Sequence, residues 1–387
     1  MANTATVTVR LDYSTAEVIA DCVFRLDAPD FRFSLSDAMT VTAASCAMTP
    51  MRTWKPRWGR QSVEYSAEAT VEPLAFSYRG KPKGWCNAIQ KNRTALSSYS
   101  SWFPFELSQP VDISYELPDM QDYTTVNGRY SAAEKLWRYG GGGYEDGNVI
   151  ALRNGKFHTV ARGGFTFFYR RKRDRALAVC YAENFAKIAG YYRAVFPPKE
   201  LKAMSAVLLG LRTGGAYYRK GLLVLGKASE LGRKSRRESG VVRLLGHELG
   251  HNWFTGADTS SWHDWLNETG AEWAALLYAA QNLGAACFES QFAQSARYFK
   301  NYKVTPPIKP VNGDARPDQG VHSRGVALFG EIYRKHGADT ILRLLCILAA
   351  LERVTTENYL AALRSDGFGD IAGYIERSLT EAEYPAL

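Results

Sequence analysis

Along this chain of 387 residues the spacing of apolar side chains changes period once, and that change limits the folds open to it. Through roughly the first 170 residues apolar and polar positions alternate, the period of a half-buried strand whose successive side chains face opposite sides of a sheet. Ala5, Val7, Val9, Leu11 and Tyr13 form one such series, and Val18, Ala20, Cys22, Phe24 and Leu26 form another. Val63, Tyr65, Ala67, Ala69 and Val71 repeat it, as do Val111, Ile113, Tyr115 and Leu117. Asn127-Gly128 and Asn154-Gly155 predict hairpin turns, since both central residues of a type I′ turn need positive φ. The run GGGG at 140–143 marks a loop. An all-β, sandwich-like domain over residues 1–172 is therefore expected.

The helical period takes over from about residue 175. AENFAKIAGYYRAVF (182–196) is helical and must stop at Pro197-Pro198, which cannot continue a helix. Two short apolar strands follow, AVLLGL at 206–211 and GLLVL at 221–225. From Ser239 onward the pattern predicts helices over 239–255, 265–281, 323–335, 338–350 and 355–364. Residues 173–387 thus read as an α+β domain, and the chain as a multidomain protein, β first and α+β second.

With 46% hydrophobic and 22% charged residues, the chain has the balance of a globular protein, not of a disordered or collagen-like one. No stretch nears the ~20 apolar residues that span a bilayer, so no membrane partner is expected. MANTATVTVRLDY has neither the basic nor the apolar segment of a signal peptide, which predicts a cytoplasmic protein. Cys22, Cys46, Cys86, Cys180, Cys287 and Cys346 are dispersed without a CxxC pair, as reduced core thiols are. The formal charge of +9 is partly concentrated in RRKRDR at 170–175 and RKSRR at 233–237. No nucleic-acid-binding motif accompanies either run, so both read as solvated loops and no nucleic-acid partner is expected.

The chemistry lies in GHELGHNWF at 246–254. On a helix His247 and His251 stand one turn apart and project side by side, with Glu248 toward the same side. Val241, Leu245, Leu249 and Trp253 fall on the opposite face, toward a core. Gly246 and Gly250 each cost such a helix about 1 kcal/mol relative to alanine, a loss that predicts another backbone passing close by. By itself the motif fits both a metal site and a core helix bearing exposed histidines. A hydrolytic zinc centre needs a third protein ligand and an open position. The metzincin pattern would place glycine at 254 and histidine at 257, where this chain has Phe254 and Ala257. The gluzincin pattern takes a glutamate from the next helix, and WLNETGAEW at 265–273 offers Glu268, preceded by Asn267. Glu272, one turn later, is placed to accept a hydrogen bond from a ligand histidine and so fix its tautomer.

HELGHNWF followed by WLNE resembles the aminopeptidase N-type gluzincin metallopeptidases, the family that includes leukotriene-hydrolase-like enzymes. WFPFE at 102–106 and the segment 111–128 are similar to that family's N-terminal β-domain. AVFPPKELKAMSAVLLGL, then GGA and GLLVL, resemble the sheet of its thermolysin-like catalytic domain. The resemblance implies one zinc ion per chain held by His247, His251 and Glu268, with Glu248 as general base. It also implies that Asn267 and Glu272 support those ligands and that the substrate is a peptide.

The chain departs from the family in several places. Sixteen residues separate His251 from Glu268, fewer than is usual, which shortens the loop ADTSSWHD (257–264). The family's substrate-anchoring Gly-Ala-Met-Glu-Asn aligns with Gly215, Ala216, Tyr217, Tyr218 and Arg219. Of these Gly215, Ala216, Tyr218 and Arg219 are candidates for substrate binding. Tyr218 stands where the family has a glutamate for the free α-amino group, and Arg219 and Lys220 add positive charge. In place of an oxyanion-stabilising tyrosine, HSRGVALF (322–329) supplies His322, a second catalytic candidate. Tyr298 and Tyr302 are alternative donors, and a surface position at a helix start is the other reading of His322. Too few residues follow Glu272 for the family's long C-terminal helical domain.

The reading is a zinc-dependent metallopeptidase with altered recognition of a free N-terminus, exopeptidase and endopeptidase both being open. Two alternatives stand beside it. One is a non-catalytic, zinc-containing descendant that binds peptides, against which the intact Glu248 argues, since a structural zinc has no use for that carboxylate. The other is a basic nucleic-acid-binding protein using the two arginine runs.

Overall fold

The alternation at the N-terminus becomes a strand, Thr4–Asp12, that buries Ala5, Val7 and Val9. It pairs antiparallel with Glu17–Arg25, which buries Val18, Ala20, Cys22 and Phe24. The computed structural model describes residues 3–27, 30–55, 61–68, 73–84, 87–140, 147–201, 203–211, 216–219, 221–227, 237–300, 308–310, 313, 317, 320–322 and 324–381, with 219, 237 and 296–300 described through their backbone alone. Within them the chain forms two compact units that interleave in sequence: Met1–Ala178 with Ala203–Glu230, and Val179–Lys202 with Leu231–Leu387.

The first unit is β-rich. Its seven-stranded sheet runs in the order Arg129–Ser131, Leu136–Gly140, Asp112–Pro118, Thr4–Asp12, Glu17–Arg25, Leu74–Gly80, Met39–Ala44. All its pairings are antiparallel except that of Thr4–Asp12 with Asp112–Pro118. A three-stranded sheet (Asp30–Ser36, Ser62–Glu68, Met48–Trp54) and a four-stranded one (Tyr123–Thr125, Val149–Arg153, Arg93–Leu96, Ala88–Gln90) complete the β region. Side chains from all three, among them Val7, Phe24, Phe33, Phe76, Tyr115 and Val149, share one apolar core. Burying them is the main force that selects this register, because a slip of one residue would turn each apolar series outward.

Both predicted hairpins are corrected. Asn127-Gly128 joins Tyr123–Thr125 to Arg129–Ser131, and Asn154-Gly155 joins Val149–Arg153 to His158–Arg162, but in each case the two strands belong to different sheets. Asn127 instead donates through Nδ2 to the Asn148 carbonyl at 2.7 Å. Two-residue hairpins lie instead at Gly163-Gly164, both at positive φ, between His158–Arg162 and Phe165–Tyr169, and at Lys91-Asn92, between Ala88–Gln90 and Arg93–Leu96. Gly141 to Gly143, in the glycine run, lie outside the described residues.

The Gly163-Gly164 hairpin opens a five-stranded sheet, ordered His158–Arg162, Phe165–Tyr169, Met204–Leu208, Leu222–Leu225, Ala216–Arg219. Its three middle strands are parallel and its two edge strands antiparallel. Phe165–Tyr169 leads into helix α1 (Arg175–Val195), which begins earlier than the sequence indicated and ends before Pro197.

The second unit is helical. It contains most of α1, then α2 (Arg237–Gly250), α3 (Trp265–Asn282), α4 (Ala285–Lys300), α5 (Arg324–Ala349), α6 (Thr356–Ser365) and α7 (Gly369–Thr380). The two helices expected over 323–335 and 338–350 are both present as the two halves of α5, separated at Gly337, whose φ of 83° lies in the glycine-favoured region. Helices α4 and α7 were not foreseen. Among the described residues no helix is long and apolar enough to cross a membrane.

Helices α2 and α3 approach closely because glycines line the contact. A Cβ on Gly250 would lie 2.8 Å from Ala271 Cα, and one on Gly246 would lie 3.0 Å from Ala275 Cβ. Val241, Leu245, Leu249 and Trp253 are buried as the helical period requires. Gly250→Ala should therefore lower stability by about 1–3 kcal/mol through overpacking against backbone. Gly190→Ala, on an exposed turn of α1 where nothing lies within 4 Å, should raise it by up to about 1 kcal/mol. Urea unfolding midpoints of both variants against the parent check the opposite signs.

Candidate metal centre

The close passage of α2 over α3 brings the two sequence motifs together. His247 and Glu248 sit in the last turn of α2, and His251 lies just past it, its N–H still reaching the His247 carbonyl at 3.3 Å. The two imidazole rings are perpendicular, centroids 4.8 Å apart. One ligand atom from each of His247, Glu248 and His251 lies within 4.8 Å of the others. From the first turn of α3, Glu268 Oε2 reaches to 3.5 Å from His247 Nε2.

Each histidine is oriented through its other nitrogen. His247 Nδ1 lies 2.9 Å from Glu272 Oε2, and His251 Nδ1 lies 3.1 Å from the Phe254 carbonyl oxygen. With Nδ1 donating to an oxygen, Nε2 is left on each ring as the ligand nitrogen. Two nitrogens and a carboxylate oxygen form a donor set suited to zinc. Atoms each about 2 Å from a tetrahedral ion lie roughly 3.3 Å apart, close to the His247–Glu268 separation. The His247–Glu268 pair fits such an ion, and ligand atoms of His247, Glu248 and His251 gather within 4.8 Å of one another beside it.

Glu272 is buried and held from three sides. Besides His247, Arg243 donates through Nε to Oε1 at 3.3 Å, and the Ser295 hydroxyl donates to the same oxygen. Arg243 also reaches Ser295 Oγ, at 3.3 Å. Burial by itself would raise the Glu272 pKa, but His247, Arg243 and Ser295 together bring it down to about 2. Glu268 behaves likewise: against the upward push of burial, hydrogen bonds from His247 and His322 hold it well below the usual carboxylate range. For His247 the signs reverse. Burial would lower its pKa, and the bonds to Glu268 and Glu272 with the charge of Glu248 raise it well above that of a free imidazole.

His322 enters the same cluster. It is 57% exposed, yet its Nδ1 lies 2.8 Å from Glu268 Oε2, so it is not a detached surface residue. Asn267 is buried and acts one step away. It accepts from the Ala257 N–H at 3.1 Å and donates to the Ala257 carbonyl and to Asp264 Oδ1, both at 2.9 Å. The short loop 257–264 is thereby tied to the start of α3. Tyr192, on α1, donates to the Gly246 carbonyl at 2.9 Å, and Tyr181 lies near enough to Glu248 for that charge to add to the upward effect of burial on its phenol.

The sequence missed Arg243 and Ser295. Arg243 lies one turn before His247 on the same face, a signal that was readable; Ser295 sits in a helix that was not predicted.

The remaining candidates belong to the first unit or lie outside the described residues. Ala216 and Tyr218 are on the edge strand Ala216–Arg219 of the first unit, with Tyr217 buried edge-on to Tyr99. Gly215, Lys220 and Tyr302 lie outside the described residues, as do the side chains of Arg219 and Tyr298.

Among solved structures the fold is similar to that of leukotriene A4 hydrolase from Saccharomyces cerevisiae, with a TM-score of 0.70 at 11% identity, covering 99% of this chain and 68% of that one. It is also similar to an M1 zinc metallopeptidase from Deinococcus radiodurans, with a TM-score of 0.60 at 15% identity over 100% and 94% of the two chains. No family model and no curated protein matches the sequence. At these identities the likeness is one of fold.

Proposed function

We propose that this chain is a zinc-dependent metallopeptidase, its chemistry carried by the α+β part, residues 173–387, and its substrate a peptide. The observation that carries this reading is the joint orientation of His247 and His251, each held through Nδ1, beside Glu268 and the carboxylate of Glu248. A non-catalytic descendant would need the first three of these side chains and not the fourth. One zinc ion per chain, held by His247, His251 and Glu268, would polarise the scissile carbonyl and make water nucleophilic near neutral pH.

The residues of the chain do the rest. Glu248 takes the proton of the attacking water and delivers it to the leaving amine, a role its place beside both histidines supports. His322, 57% exposed and beside Glu268, donates an N–H to the developing oxyanion. Glu272 fixes the tautomer of His247, and Asn267 fixes the loop that leads into α3.

Substrate recognition departs from that of an aminopeptidase. Such an enzyme must neutralise a free ammonium in a partly dry cleft, where an unpaired charge is costly. Tyr218 offers no carboxylate for it. Glu272 is no substitute, because His247, Arg243 and Ser295 already occupy it.

Glu248→Gln should retain about one zinc per chain by metal analysis and lose nearly all hydrolysis of a peptide library. Wild-type turnover in that variant would dispose of the mechanism. His322→Phe should slow turnover by roughly two to three powers of ten, corresponding to about 3–4 kcal/mol for an oxyanion donor, with zinc content unchanged. An unaltered rate would remove His322 from the chemistry. One peptide assayed with its N-terminus free and acetylated should be cut in both forms; cleavage of the free form alone would show that an ammonium anchor exists outside Tyr218.

A further inference from the structure

The first unit carries a group of cations with no acidic partner among the described residues. Arg93 belongs to the short strand Arg93–Leu96 and is only 7% exposed. Its Nη1 donates to the Leu209 carbonyl, while its Nε is buried and makes no hydrogen bond among the described residues. A buried guanidinium with one N–H satisfied by a carbonyl and another by nothing is costly.

The sheet brings more positive charge to the same place. Phe165–Tyr169 and Met204–Leu208 run parallel with Phe168 beside Val207, so the register carries Arg170 to the level of Leu209, the residue that holds Arg93. Arg171 follows, and both side chains are exposed. The next parallel strand, Leu222–Leu225, ends in Gly226 and Lys227 along the same edge. None of Arg93, Arg170, Arg171 or Lys227 forms an ion pair among the described residues. Burial, then the charges of Arg170 and Arg171, depress the Arg93 pKa, so the three act on one another.

There is also room. Gly210 turns at a φ of 66°, and among the described residues a Cβ built on it would meet only Arg93 Nη1, at 3.6 Å, within 4 Å. Open α/β sheets take ligands outside the carboxyl ends of their parallel strands, and this edge is such an end.

We propose that Arg93, Arg170 and Arg171 form a binding site for a multiply charged oxyanion of the phosphate type, at the carboxyl edge of the five-stranded sheet. Guanidinium groups match the geometry of phosphate oxygens and keep their charge at any pH a protein meets. Several unpaired cations favour a dianion over a single carboxylate. RRKRDR is then more than a solvated loop at its first two residues.

The test is calorimetric titration of the full chain with inorganic phosphate and, separately, with acetate at equal ionic strength. Phosphate should bind and acetate should not. Arg170→Ser with Arg171→Ser, both exposed positions that leave the fold intact, should weaken phosphate binding by roughly tenfold or more. Arg93→Met should do the same while preserving side-chain length, and if it fails to fold the double variant carries the test. Comparison with these variants separates this site from phosphate held at the metal centre, which they leave unaltered. Phosphate binding unchanged in the double variant, no phosphate binding in the parent, or acetate bound as tightly as phosphate would each overturn the proposal.

Discussion

The approach of α2 to α3 is the contact on which the candidate centre depends. His247, Glu248 and His251 come from one helix and its end, Glu268 and Glu272 from the other, and the contacts of His247 with both glutamates are lost if the helices separate. Gly246 and Gly250 permit the contact, at a cost in helix propensity of about 1 kcal/mol each. Ala271 and Ala275 complete it from the opposite side. Tyr192 adds a hydrogen bond to the Gly246 carbonyl, so a third helix fixes the same turn.

Around that contact lies an arrangement of buried charge that would be unstable in pieces. Glu268 and Glu272 sit one turn apart on α3 and would repel each other in an apolar setting. They are separated by function of their partners: Glu272 faces His247, Arg243 and Ser295, whereas Glu268 faces His247 and His322. His247 lies between the two carboxylates, contacting one through each ring nitrogen. Its ring cannot flip without losing both contacts, so one interaction orients it and places its second nitrogen. Removal of Arg243 or Ser295 would loosen Glu272 first and the histidine through it.

Much of this was legible because it is local. The period-2 series of residues 5–13, 18–26 and 111–117 became strands with the expected buried faces, and the helical face Val241, Leu245, Leu249, Trp253 is buried as read. The cost of two glycines in one helix correctly pointed to a neighbouring backbone. What failed was pairing at a distance. Asn-Gly turns were taken as hairpins from their φ preferences, but which sheet each flanking strand joins is decided by contacts far along the chain. The Gly163-Gly164 hairpin, with flanking residues Arg162 and Phe165 in direct register, was passed over. Helix α4 buries the polar Gln291 and Ser295 among its phenylalanines, which blurs its period, whereas α7 buries Ile371, Tyr374, Ile375 and Leu379 at helical spacing, a signal the sequence does carry. The contacts of Arg243 and Ser295 with Glu272 span 29 and 23 residues and leave no mark on local sequence.

The departures from the resembled family fall where the structure can absorb them. A shorter connection between His251 and Glu268 would strain the centre if it pulled on α3, but Asn267 takes up the loop with three hydrogen bonds to Ala257 and Asp264. Both side-chain atoms of a single buried amide are thus used to set the end of the loop relative to the helix that carries Glu268. His322, expected where the resembled family has a tyrosine, lies 2.8 Å from Glu268 because α5 begins beside the start of α3, where a Cβ on Gly325 would collide with Thr269. Close packing of Gly325 on α3 therefore does for His322 what Gly250 does for His251. In both cases a glycine lets one backbone approach another, and a polar side chain a few residues away is delivered to the same carboxylate-lined space.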